Sequence, residues 1–77
     1  MKMYCISQDI DTAVGLRLTG IETTVVSEKE KIDSEIDQVL QDQNVGVLIV
    51  TEAIYEMAKT KLEGIRQNRK LPLVVRF

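Results

Sequence analysis

Two carboxylates one residue apart, Asp9 and Asp11, sit in a polar stretch from Ser7 to Thr12. Paired acids at the end of a strand hold magnesium in phosphoryl-transfer sites, which is one chemistry this stretch offers. The same acids at the start of a helix accept its first unpaired N–H groups, and capping is the more general use of such a pair. The single cysteine, Cys5, stands inside an apolar run rather than in the loop after it, where a helix N-terminus would lower its pKa and arm it as a nucleophile. Core packing is the role expected of it. Gly15 and Gly20 lack the GxGxxG spacing, and no glycine lies between Ser7 and Thr12, so no phosphate cradle is expected. The chain has no His, which excludes a Ser–His triad and removes the commonest metal ligand. No catalytic residue, metal site or cofactor site is expected, and the chain reads as a protein without an enzymatic centre of its own.

Four runs rich in Val, Ile and Leu supply the frame around these residues: Met3 to Ile6, Ile21 to Val26, Val45 to Val50, and Leu71 to Val75. They read as strands, and unbroken runs such as Val47-Leu48-Ile49-Val50 suit a parallel sheet covered on both faces. After Asp9 and Asp11, the apolar residues Ile10, Ala13, Val14 and Leu18 recur at helical spacing until Gly20, predicting a short first helix with those four inward. Ser27 and Glu30 form a capping-box pattern before a second helix with the stripe Ile32, Ile36, Val39 and Leu40. Thr51 caps a third helix whose inward residues are Ile54, Met57, Ala58, Leu62 and Ile65, ending before Pro72. Its charges suit the macrodipole, with Glu52 and Glu56 early and Arg66, Arg69 and Lys70 late.

The order βαβαβαβ, with right-handed crossovers, predicts an α/β fold: a small, doubly wound, four-stranded parallel sheet of order 2-1-3-4, Rossmann-like or receiver-like. The first helix falls on one face, and the second and third on the other. That cover is uneven, so the face behind the first helix is expected to be partly bare, or covered from outside residues 1 to 77. Acidic Glu28, Glu30, Asp33, Glu35 and Asp37 and basic Lys59, Lys61, Arg66, Arg69 and Lys70 place opposite charges on neighbouring helices.

The 77 residues make one domain, 1–77, near the size where a lone core is only just sufficient. A net charge of -2 and 4% aromatics give little to attract or stack nucleic acid. The longest apolar run, Val45 to Val50, is too short to span a membrane, and residues 1–4 have no signal-peptide pattern. A reduced, cytoplasmic setting is the expectation, without membrane insertion.

Residues Asp9-Ile-Asp-Thr-Ala-Val-Gly-Leu-Arg-Leu-Thr-Gly20 resemble the D-x-D-T-x-x-G-F-R-L-x-G pattern of the F subunit of the A-type and V-type ATPases. Val45-Gly-Val-Leu-Ile-Val-Thr-Glu52 and Leu71-Pro-Leu-Val-Val75 are similar to later segments of that family, in the same order, so the resemblance spans almost the whole chain. Leu16 replaces the family's usual Phe, and Ser7-Gln8 replaces a glycine-led pair. Family members usually continue beyond the position of Phe77 into a C-terminal helical segment linked with regulation. The resemblance implies a non-catalytic component of the central rotor stalk in an ion-translocating ATPase or ATP synthase, peripheral to the membrane. It would bind the coiled-coil D subunit among the other V/A-ATPase subunits and help couple ATP turnover to ion transport, protons included. The contact residues expected are Leu16 and Arg17 on the first helix, with Tyr55 and Phe77 as alternatives, Leu16 and Tyr55 falling off the inward stripes of their helices. Two other readings compete: a receiver-like phospho-signalling domain, against which Thr51 stands where the phosphate-accepting Asp belongs, and a homodimeric interaction module.

Overall fold

The computed structural model describes all of residues 1–77. Along the chain lie β1 (Lys2–Ser7), α1 (Ile10–Leu18), β2 (Glu22–Val25), α2 (Lys29–Gln41), β3 (Val45–Val50), α3 (Glu52–Met57), α4 (Lys59–Asn68) and β4 (Leu73–Arg76). The strands form one parallel sheet in the order β2-β1-β3-β4, as the alternation of strands and helices predicts.

One face of the sheet carries nearly all of the core. Ile6, Leu48 and Val50 from the strands meet Ile32, Ile36 and Val39 of α2, then Ile54 and Tyr55 of α3 and Leu62 and Ile65 of α4, all buried. Side chains alternate along a strand, so Cys5 of β1 points to the other face, and that face is served by α1 alone. α1 lies over β1 and β2 and puts only the small Ala13 fully into the interface. Met3 of β1 and Leu73 and Val75 of β4, on this same face, are each more than two-fifths exposed. The uneven cover expected from the helix count is therefore real.

Local signals account for several boundaries. Asp9 caps α1 by accepting from Thr12 N at 3.1 Å, and Thr51 caps α3 by accepting from Ile54 N at 3.3 Å. Gly20 takes φ +88°, a left-handed turn position that favours glycine, and its N–H donates to Arg17 O. An ion pair of 2.8 Å joins Asp37 of α2 to Lys61 of α4, so the opposite charges of those helices do meet.

Three expectations are corrected. The third helix is two helices: the N–H of Ala58 is shared between Ile54 O and Tyr55 O, tightening the turn, and Ala58 leaves helical geometry at φ −122°. Alanine is the best helix former, so nothing in the residue types marks that break. The Ser27 capping box does not form; Glu28 precedes α2 and makes no side-chain cap bond. The inward stripe of α1 reduces to Ala13, because Ile10, Val14 and Leu18 are 66%, 48% and 84% exposed.

Candidate functional site

In a sheet of this order the usual ligand crevice lies at the carboxyl ends of β1 and β3, where the chain turns off in opposite directions. Side chains bridge it here. The Thr51 hydroxyl donates to Gln8 Oε1 across the gap between the two strand ends. Ser7, fully buried, accepts from Asp9 N at 2.9 Å and donates to Asp9 O at 3.0 Å, tying the first loop to its own strand. The Asp9 carboxylate accepts from Thr12 Oγ1 at 2.7 Å as well as from Thr12 N. The Thr12 hydroxyl bond, then the backbone one, hold its pKa below the usual carboxylate range. Asp9 is thus a helix cap; no three His, Cys, Asp or Glu side chains converge on a common point. Cys5 is fully enclosed in β1, and burial pushes its thiol pKa up, opposite to what a nucleophile needs.

The opposite situation holds beside α1. A groove of about 350 Å³ runs between that helix and the end of β4, lined by Asp11, Thr12, Gly15, Leu16 and Phe77. Two of the four contact residues read from the sequence, Leu16 and Phe77, therefore meet there. Leu16 is half-buried, while the Phe77 ring is 64% exposed although its N–H donates to Val50 O at 2.8 Å. Leu73 and Val75, both exposed, share the sheet face of Phe77 by strand alternation. Gly15 leaves the wall low: a Cβ built there meets nothing within 4 Å.

Arg17 is on the exposed side of α1, but its Nη2 donates to Thr23 O at 2.8 Å, so it also pins the helix to β2. Tyr55 is placed elsewhere and is a correction. It is 2% exposed, inside the α3–α4 core, with the Arg76 guanidinium over its ring. At about 100° per residue, Tyr55 lies closer to the mean direction of Ile54, Ala58, Leu62 and Ile65 than Met57 does, so the helical wheel held the signal. Met57 takes the exposed place, at 38%.

The sequence reading missed Met3, Leu73 and Val75 as members of the bare face and took Ile10, Val14 and Leu18 as inward. The signal available was the circumference of α1. Ile10, Ala13, Val14, Leu16 and Leu18 leave only Asp11 and Arg17 as charges, and a helix apolar nearly all round is one that expects neighbours on several sides.

A family model described as ATP synthase (F/14-kDa) subunit matches residues 3–77. The chain belongs to this family. Among its relatives is the A-type ATP synthase F subunit of Methanocorpusculum labreanum, 35% identical over 63 residues that cover 80% of this chain and 63% of the relative. The protein of the same description from Methanocaldococcus jannaschii is 33% identical over 60 residues, covering 77% and 61%. This chain thus spans less than two thirds of the length of these two curated relatives. A crystal structure of the V-type ATP synthase F subunit from Archaeoglobus fulgidus superposes with a TM-score of 0.80 at 23% identity, over 99% of this chain and 95% of that one. That likeness shows a shared fold. No helix of this member of the family is long and apolar enough to cross a membrane.

Proposed function

We propose that this chain is a non-catalytic part of the central rotor stalk of an A-type or V-type ATP synthase, and that it grips the coiled-coil D subunit with the face formed by α1 and β4. The observation that carries the proposal is the groove at Leu16 and Phe77, on the same sheet face as the exposed Leu73 and Val75, in a chain whose family is that of ATP synthase subunits. A stalk component transmits torque by surface complementarity and needs no reacting group. An apolar centre at Leu16 and Phe77, rimmed by Asp11 and Thr12, suits a firm contact with a coiled-coil partner. Coupling of ATP turnover to ion transport then belongs to the assembly, with this domain on its peripheral, non-membrane part.

Isothermal titration of this chain into the coiled-coil D subunit of the same organism tests the proposal. One-to-one binding, weakened by Leu16→Asp and by Phe77→Asp, is the result expected. Absence of binding by the folded chain counts against it.

A second reading rests on the same bare face: two copies meeting there as a homodimer. The exposed Met3, Leu73, Val75 and Phe77 favour it. Solution mass as a function of concentration separates the two, since a monomer at all concentrations removes the dimer. Phospho-signalling has less support, because the Thr51 hydroxyl occupies the required position bonded to Gln8, and Asp9 is engaged as a cap.

A further inference from the structure

β4 is an edge strand whose outer side no other strand meets. Its pairing with β3 is parallel, and Phe77 N donates to Val50 O. In a parallel ladder a residue turns its N–H and C=O to the same side, and successive residues alternate. Leu73, Val75 and Phe77 therefore face β3 with their backbone groups, and Val74 and Arg76 turn theirs outward to the open edge.

Beside this edge, between the end of α4 and the start of β4, is a cavity of about 220 Å³ lined by Arg66, Arg69, Lys70, Pro72, Leu73 and Val74. Lys2, Lys29, Lys31, Lys61 and Arg76 all form ion pairs with carboxylates. Arg66, Arg69 and Lys70 do not. Arg69 bonds only carbonyl oxygens, those of Leu71 and Leu40. A chain of net charge -2 thus gathers three uncompensated cations at one sheet edge. On the other side of the same strand Leu73 and Val75 are exposed.

We propose that the open edge of β4 docks an extended acidic segment of a partner protein, added as a fifth strand. The segment's carboxylates meet Arg66, Arg69 and Lys70, and its alternate, apolar residues lie beside Leu73 and Val75. Backbone bonds to Val74 and Arg76 supply affinity, and the cations on one face with the apolar residues on the other select the sequence. The proposal rests on the strand edge and the α4 side; it shares only the exposed Leu73 and Val75 with the face assigned to the D subunit, whose contact at Leu16 and Phe77 is read by separate variants.

The test uses the full chain and two labelled peptides, one of alternating Glu and Val and one of alternating Lys and Val. The Glu-Val peptide is expected to bind, to weaken as salt rises, and to shift and protect the amide signals of Val74 and Arg76 against hydrogen exchange. The exposed double variant Arg66→Glu/Lys70→Glu, shown folded by circular dichroism, is expected to weaken binding by roughly tenfold or more. Equal binding of both peptides overturns the proposal. So does binding that leaves the Val74 and Arg76 amides unchanged, or displacement of the peptide by an equal concentration of inorganic phosphate, either of which reduces the site to a generic anion patch.

Discussion

The Arg76 guanidinium carbon stands 4.4 Å from the centre of the Tyr55 ring, so the last residue of β4 closes over a buried aromatic of α3. Its Nη1 also lies 3.7 Å from Glu52 Oε2, but both partners are half-exposed and that ion pair contributes little. The burial of the ring is the larger effect. Tyr55→Ala is expected to lower stability by about 3 to 5 kcal/mol, and Arg76→Gln by about 1 kcal/mol or less. Urea unfolding of the two variants checks the ranking. Near-equal midpoints would mean that Tyr55 is not the core residue described.

At the groove, the expected signs are reversed. Phe77→Asp removes an exposed ring and is expected to leave the thermal midpoint close to that of the parent while weakening the stalk contact by about tenfold or more. Leu16→Asp is expected to do the same with a modest loss of stability, since that side chain is half-buried. Calorimetric titration paired with thermal melting reads both effects. Unchanged affinity in either variant takes that residue out of the contact.

Arg17→Ala separates anchoring from recognition. Its bond to Thr23 O fixes α1 to β2, and losing a charge-assisted bond at a largely exposed site costs about 1 kcal/mol. Hydrogen exchange in α1 is the readout, with faster exchange of that helix expected while β3 stays protected. Slow exchange throughout would show that the bond does not hold the helix.

Acid weakens the fold through two carboxylates. Asp9 is held low by Thr12, and Asp42 by the N–H of Asn44 and then by Lys2, whose own pKa the Asp42 bond raises. For a lowered carboxylate the stabilising effect is complete above its unfolded pKa and disappears as pH falls through the folded one. Stability is therefore expected to drop below about pH 4, and less steeply in Asp9→Asn. In alkali the sign follows from burial, which raises both Cys5 and Tyr4, so stability falls as pH passes the ordinary thiol and phenol values. Denaturant midpoints across the pH range check both limbs. An acid limb identical in Asp9→Asn would remove Asp9 from the account.

Thr51 joins two elements at once, capping α3 and reaching Gln8 across the strand ends. Thr51→Ala is expected to cost about 0.5 to 2 kcal/mol, the range for a lost cap. Gln8→Ala, which leaves the cap intact, is expected to cost less. Thermal melts of the pair decide whether cap or bridge dominates.

The fold was largely legible because its signals are local and repeated. The runs at Val45 to Val50 and Leu73 to Val75, the caps Asp9 and Thr51, and the stripe Ile32, Ile36 and Val39 each agree with the parallel sheet. The misses arise where local pattern underdetermines direction. α1 is apolar on several sides, so periodicity could not say which side meets the sheet; that was decided by the small Ala13 and by Arg17 reaching Thr23 O. Tyr55 was placed off the inward stripe of its helix because Met57 was taken into that stripe, although the angular position of Tyr55 favoured the core. The Leu16–Phe77 groove joins residues distant in the chain, and only the return of β4 beside β3 brings them to one place.

The position of β4 has a consequence during synthesis. Because α3 and α4 separate it from β3, a nascent chain completes β1, β2 and β3 while β3 still has one unpaired side. Until residues 73–76 arrive, the backbone groups of Leu48 and Val50 that β4 will meet lie along a border open to any neighbouring strand.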